Sequence, residues 1–231
     1  NKSPFLSLVP PVIILSNPQL GENIGASARA MKNCGFTDLR LVNPRDGWPN
    51  ADAEPMATHA ADILKTATVY KDLASSCFDI THLFATTARP RELKKTVINP
   101  RMAAQKCVDY ALRDISSEEN MQKYPAEADP NTYKAAYLFG SERMGLTNDE
   151  IVFADFIVEA NLNPDSKSLN LAQAVMIMCW EFVMIAASPK AVTETQQEVF
   201  PQAILEKVKQ KNLKSAATIE EQKYFFDRFE M

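Results

Sequence analysis

A run of core-type residues that empties into a glycine loop dominates this chain: Ala135 to Phe139, then Gly140-Ser-Glu-Arg-Met-Gly145, then Leu146 and Thr147. The aliphatic and aromatic stretch has the length of a buried strand, and Gly140 ends it. Thr147 has the chemistry of a helix N-cap, so a helix is expected over 147–154. In open α/β sheets ligands sit beyond the carboxyl ends of strands, which makes this loop the first candidate site. Gly140 and Gly145 carry no Cβ and let a ligand approach the backbone closely. An ordinary strand-to-helix turn with a surface ion pair has the same composition. One glycine loop does not choose between the two.

The same alternation recurs along the chain. Pro11 to Asn17, Leu39 to Asn43, Thr66 to Tyr70, Asp79 to Ala85 and Phe156 to Ala160 read as strands, short and rich in β-branched or aromatic residues. Between them lie helical stretches: Asn23 to Asn33 with Gly35 as its stop, part of Ala51 to Leu64, Asp72 to Ser76, and Asn99 to Ile115. Ser168 is expected to cap a long apolar helix ending near Pro189. Alternation of this kind predicts an α/β fold, a mainly parallel sheet with helices on both faces. Residues 1–190 read as one domain. Residues 191–231, polar and then lysine-rich, read as a helical extension that stops inside its own pattern. With Asn1 rather than Met in front, the sequence reads as a piece of a longer one.

Composition excludes several classes. The formal net charge is −4, so a nucleic-acid partner must meet a local basic patch. The four cysteines are scattered, without C-x-x-C spacing or histidine neighbours, which argues against zinc or any other metal site and against a disulfide framework. A reducing cytoplasm is the expected compartment. Nothing at the start has the order of a secretory leader. The run Leu169 to Ala187 is broken by Asn170, Gln173 and Glu181, so it reads as a core or interface helix and not a membrane span. G-x-G-x-x-G after the first strand, G-x-x-x-x-G-K-[ST] and G-x-S-x-G are all missing, which removes the main support for a nicotinamide Rossmann domain, a P-loop NTPase and an α/β-hydrolase.

Two features then point to a polyanionic ligand. The helix over 23–33 is small-faced (Gly25, Ala26, Ser27, Ala28, Ala30), and Gly25, Arg29 and Lys32 share one side by helical spacing. A cation among small residues can reach a pocket; the alternative is a solvated arginine. Arg89, Arg91, Lys94, Lys95, Arg101 and Lys106 stand against Glu92 alone, beside a strand end. A solvated charged loop has the same appearance.

Three segments, in order and spacing, resemble the motifs of the SpoU/TrmH-type SPOUT RNA 2′-O-methyltransferases. They are Asn23-Ile-Gly-Ala-Ser-Ala-Arg-Ala-Met-Lys32, Leu138-Phe-Gly-Ser-Glu-Arg-Met-Gly-Leu-Thr147 and Ser168-Leu-Asn-Leu-Ala-Gln-Ala-Val175. Leu41 to Pro44, Thr86 to Arg89 and Asn163-Pro164 are similar to the TrmJ-like tRNA branch. The resemblance covers about Pro11 to Ala187. It implies a SPOUT fold with a deep trefoil knot toward the C-terminal side, S-adenosylmethionine bent inside it, and a homodimer whose active sites are shared across the interface. Carried across by motif, Thr86, Thr87, Ala88, Gly140, Ala160, Lys167, Ser168 and Leu169 would hold the cofactor. The chain departs from the family at Ala160, where a larger aliphatic residue is usual, and at Lys167, where a small hydroxyl residue is frequent.

The same resemblance makes Arg29 the catalytic arginine, with Asn23 orienting Arg29 or the ribose. Glu142 would fix the loop or Arg29, and Ser168 and Asn170 would position substrate. A guanidinium stays protonated, so Arg29 is expected to clamp phosphate and stabilise alkoxide charge. RNA contacts are expected from Arg29, Arg45, Arg89, Arg91, Lys94 and Lys95. The implied reaction is methyl transfer to a ribose 2′-hydroxyl of tRNA, at nucleotide 32 of the anticodon loop. The alternatives are an rRNA 2′-O-methyltransferase, a base N-methyltransferase, which would want a carboxylate beside the base, and a non-catalytic RNA-binding or ribosome-assembly protein on the same fold.

Overall fold

The computed structural model describes residues 8–88, 95–116, 134–163, 165 and 168–187. Expectations for Arg89, Arg91, Lys94 and Lys167, and for the extension over 191–231, lie outside the described residues. Seven strands form one sheet: β1 (Val12–Ser16), β2 (Leu39–Val42), β3 (Thr68–Tyr70), β4 (His82–Thr86), β5 (Thr96–Ile98), β6 (Ala135–Phe139) and β7 (Phe156–Val158). Their order is β3-β2-β1-β6-β4-β7-β5, and each neighbouring pair runs parallel. The helices are α1 (Gly21–Asn33), α2 (Ala53–Ala57), α3 (Ala61–Thr66), α4 (Leu73–Ser76), α5 (Pro100–Ser116), α6 (Asn148–Val152) and α7 (Leu171–Ala186), with a 3₁₀ turn at Thr58–Ala60.

The period-two rule of strands divides the core in two. Ile13 and Leu15 of β1, with Tyr137 and Phe139 of β6, face Ile24 and Met31 of α1, Cys107 of α5, and Val175 and Phe182 of α7. Val12, Ile14, Ala136 and Leu138 face Leu73 of α4 and Ile151 of α6 on the other side. Both faces are therefore covered, which is why β1 and β6 are buried at every position and apolar at all of them but Ser16.

Some expectations need revision. β5 was not foreseen, since its three residues follow the basic stretch. Thr66 closes α3 and lies outside β3. The small face of α1 is buried within the chain: a Cβ on Gly25 would lie 2.0 Å from the Ala53 carbonyl oxygen of α2. That face brings two helices of one chain together and is not left open for a partner. Lys32, on the same side of the helix as Arg29 by spacing, pairs with Asp62.

At the amino end of the sheet Arg40 is only 3% exposed. Its guanidinium donates to Asp79 Oδ1 and Oδ2 at 2.5 and 2.8 Å, to the Ser76 carbonyl at 2.7 Å and to Asp38 Oδ2 at 3.2 Å. Lys134 Nζ adds a bond to Asp79 Oδ2 at 2.8 Å. Burial pushes the Asp79 carboxyl up, but the bonds from Arg40 and Lys134 outweigh it and hold it at about 2. A depressed carboxylate stabilises the fold fully above its unfolded value and loses that contribution as pH falls through the folded one. Between pH 4 and pH 2 the loss is expected to reach about 1–2 kcal/mol, since Asp79 is partly exposed and water screens it. Urea denaturation at stepped pH checks this: Asp79→Asn should flatten that acid limb relative to the parent chain.

Candidate functional site

The loops after β4, β6 and β7, with the start of α7, enclose a cavity of about 320 Å³ at the carboxyl edge of the sheet. Thr86, Thr87 and Ala88 come from the first loop, Gly140 to Arg143 and Gly145 from the second, and Ala160 and Leu162 from the third. Ser168, Leu169 and Leu171 close it from the α7 side, and Ala174, Ile177 and Met178 supply its apolar wall. The loops are stitched together at their roots. Thr86 Oγ1 donates to the Leu138 carbonyl at 2.9 Å, and the Thr87 amide donates to the Val158 carbonyl at 3.0 Å.

The glycine loop folds over itself. The Gly145 amide donates to the Ser141 carbonyl at 2.8 Å, and Gly145 takes a φ of 67°. A Cβ on Gly140 would come within 2.2 Å of Gly145 C and Leu146 N. The missing side chain at 140 therefore makes room for the loop's own backbone, where the sequence had suggested room for a ligand. Thr147 caps α6 as expected, in a reciprocal capping box with Glu150.

Glu142 bonds the chain at the entrance of α1 and not Arg29. Its Oε2 accepts from the Gln19 amide at 2.8 Å; its Oε1 accepts from the Leu20 amide at 3.2 Å and from Asn23 Nδ2 at 2.9 Å. Leu20 is the N-cap residue of α1 and Gln19 precedes it; α1 has no side-chain cap of its own. A carboxylate from another loop instead holds the backbone that enters the helix. Asn23 Oδ1 in turn accepts from Asn170 Nδ2 at 2.9 Å, and Asn170 Oδ1 accepts from the Ala172 amide at 2.9 Å. Asn170, not Ser168, is thus the N-cap of α7, with Gln173 Oε1 accepting from the Asn170 amide at 3.2 Å. Ser168 lies two residues earlier, on the cavity wall.

One polar relay, Glu142–Asn23–Asn170, therefore joins three segments that are far apart in sequence. Of the expected cofactor residues, Thr86, Thr87, Ala88, Gly140, Ala160, Ser168 and Leu169 all line the cavity, as do the expected catalytic Ser168 and Glu142. Asn23 and Asn170 stand behind the wall. Asn23 was expected to orient Arg29, but both ends of its amide are engaged by Glu142 and Asn170. Arg29 is exposed on α1, and among the described residues it has no hydrogen bond or ion pair. Arg45 is half exposed and pairs with Asp46 at 2.7 Å. Lys95, expected on phosphate, donates to the carbonyls of Val152, at 2.9 Å, and Ala154. Its ammonium closes the end of α6 here. Pro100, Leu162, Ile177, Met178 and Gln173 were not foreseen. The helical spacing of Ala174, Ile177 and Met178 was the available signal for the apolar wall.

Among the described residues no three His, Cys, Asp or Glu side chains come together as a metal-holding group. No described helix is long and apolar enough to cross a membrane.

A parallel α/β sheet with a mostly apolar cavity at its strand ends, ringed by a few fixed polar groups, defines a small-molecule-binding α/β protein of the enzyme kind. The profile of the SpoU rRNA Methylase family matches residues 10–180. The chain belongs to that family, within its TrmJ-like RNA 2′-O-methyltransferase branch. The tRNA (cytidine/uridine/adenosine-2′-O-)-methyltransferase TrmJ of Pseudomonas aeruginosa is 34% identical over 172 residues, 74% of this chain and 60% of that protein. This chain therefore spans about three-fifths of that relative. The crystal structure of TrmJ from Z. mobilis ZM4 superposes with a TM-score of 0.63 at 41% identity, covering 75% of this chain and 68% of that one. The SpoU methyltransferase AviRb of Streptomyces viridochromogenes, solved in complex with its cofactor AdoMet, superposes with a TM-score of 0.52 at 15% identity. It covers 78% of this chain and 58% of its own, and that likeness is one of fold.

Proposed function

We propose that this protein methylates the 2′-hydroxyl of nucleotide 32 in the tRNA anticodon loop, in the cytoplasm, with S-adenosylmethionine as the donor. The observation that carries the reading is the convergence of three strand-end loops on one cavity, with the relay behind it joining all three motif segments. The cavity suits the donor: its size is that of a small-molecule site, its far wall is apolar, and its near wall is loop backbone with a few hydroxyls. Ala160 and Ser168 present short side chains there, so recognition falls mainly to the backbone. A trefoil knot toward the C-terminal side of the domain, as the family resemblance implies, belongs to the same reading.

The bound donor would supply a methyl group already activated on a sulfonium. What remains for the protein is to hold the ribose oxygen in line with it. Glu142, Asn23 and Asn170 act as positioning residues, fixing α1 relative to the cavity. Arg29 on α1 is a permanent cation. It holds the phosphate beside the target ribose and stabilises the charge that develops on the oxygen. Arg45, on the turn after β2, adds a phosphate contact. The protein works as a homodimer in which Arg29 faces the partner's cavity. The exposed stripe of α7, with Gln173, Trp180 and Met184 at helical spacing, supports this, because large apolar side chains there call for cover.

The test is transfer of labelled methyl from S-adenosylmethionine to bulk tRNA, followed by mass mapping of the modified nucleotide. Arg29→Ala is expected to lower kcat about 100- to 1,000-fold, the usual loss for removing a transition-state donor. Donor affinity by calorimetry should be unchanged, and Arg29→Lys should retain part of the rate. Full activity in the alanine variant would remove Arg29 from the mechanism. A methyl found on a base, or donor that does not bind at all, would sink the proposed reaction.

A further inference from the structure

Behind the glycine loop lies a second polar cluster that none of the steps above uses. Glu150 closes the capping box of α6 with one carboxylate oxygen: Oε2 accepts from the Thr147 amide at 2.6 Å and from Thr147 Oγ1 at 2.9 Å. Capping needs no more than that. The other oxygen reaches across the chain to the end of β1, where Oε1 accepts from Ser16 Oγ and from Asn17 Nδ2 at 3.4 Å. Asn17 Oδ1 then accepts from Asn43 Nδ2, at the end of β2, at 2.9 Å. Asn17 and Asn43 both adopt left-handed backbone, with φ of 49° and 45°. A side-chain bridge between two such residues fixes how the chain leaves two neighbouring strands. Two residues beyond Asn43, the Arg45 amide donates to the Pro18 carbonyl at 3.0 Å. The route thus runs from α6, through both strand ends, to the turn that carries Arg45.

We propose that Glu150, Ser16, Asn17 and Asn43 form a brace that positions the Arg45 turn for RNA, so that these four are positioning residues for substrate binding and not for donor binding. Local helix capping would explain one oxygen of Glu150; it does not explain the other, nor the amide-to-amide bridge beyond it. The inference rests on the proposed tRNA methylation, in which Arg45 meets a phosphate. It adds the device that holds the turn carrying that cation.

The experiment compares Asn43→Gly, Arg45→Ala and the double variant for tRNA KM, kcat and S-adenosylmethionine affinity, alongside amide hydrogen exchange at Arg45. Glycine accepts the φ of residue 43 without strain, so the first variant removes the bridge and keeps the turn foldable. Its tRNA KM is expected to rise about fivefold, the worth of one hydrogen bond, with kcat and donor affinity unchanged. In the double variant KM should be no worse than in Arg45→Ala alone, because the brace acts through Arg45. The Arg45 amide should exchange faster in Asn43→Gly, and also in Glu150→Ala, which removes the acceptor facing Ser16 and Asn17. Effects that multiply in the double variant, or exchange that does not change, would overturn the brace. If the parent protein transfers no methyl to tRNA, the proposed function falls, and amide exchange alone then decides the brace.

Discussion

Gly140→Ala is expected to lower kcat/KM about 100-fold, the cost of displacing a site by roughly an ångström. The added methyl would lie 2.2 Å from both Gly145 C and Leu146 N, which are backbone atoms and cannot swing aside. The glycine loop must lift, and Ser141 to Arg143 on the cavity wall lift with it. Glu142 is then drawn from the Gln19 and Leu20 amides, so the entrance of α1 loosens and the relay to Asn23 and Asn170 stretches. Overpacking of this kind also lowers stability, by about 1–3 kcal/mol. Gly145→Ala is the control from the same loop. A Cβ there meets nothing within 4 Å, and the φ of 67° leaves backbone strain alone. That strain is roughly 1–2 kcal/mol, with kcat/KM close to the parent value. Equal activity losses in the two variants would show that the loop tolerates no change at all, and that the crowding at 140 has no special part. Calorimetric donor affinity and urea denaturation, measured together, separate the two effects.

The second large effect lies at the opposite end of the sheet. Arg40→Met is expected to cost about 2–3 kcal/mol, because it leaves the Ser76 carbonyl and two partly exposed carboxylates short of their buried cation. The guanidinium stands 5.8 Å from the ring centres of Tyr70 and Phe78, and it is the shared donor for Asp38, Asp79 and the Ser76 carbonyl. Lys134 remains as a partner for both carboxylates, at 2.8 and 3.2 Å, but it cannot reach the Ser76 carbonyl's position as well. Replacing Asp79 by leucine in the same chain should recover part of the loss, since the carboxylate no longer needs a partner. Methyl transfer by the folded fraction should be unaltered, because Arg40 sits away from the strand ends that carry the cavity. A loss under 1 kcal/mol for Arg40→Met would mean that water reaches these groups more freely than their burial implies.

Much of the architecture was legible because strands buried on both faces announce themselves. β6 is an unbroken apolar run and β1 is one up to Ser16, and the capping chemistry of Asp72 and Thr147 marks two helix starts that the structure retains. β5 escaped because three residues beside two lysines carry too little pattern. The start of α1 escaped for a different reason: the backbone entering it is held by Glu142, more than a hundred residues away. No local rule can find a contact of that kind. Asn170 and Ser168 both have capping side chains, and only the backbone path decides between them. Thr86, Thr87, Ala88, Gly140, Ala160, Ser168 and Leu169 could be named in advance through the resemblance of the three motifs to a known family, while the strand-end rule alone pointed to the loop after β6. The relay could not, since it depends on which side chains turn inward once the three segments have met.

The strand order also governs when the molecule can become whole. β6, the central strand, lies between β1 and β4, yet both of those leave the ribosome long before it does. Until residue 139 has been made, each exposes a row of unsatisfied amides and carbonyls to whatever passes. Pairings this distant along the chain close slowly, so the nascent protein has an interval in which its two halves can recruit the wrong edge. Yield in the cell should therefore respond to chaperone supply and to the speed of translation upstream of β6, independently of how stable the finished protein is.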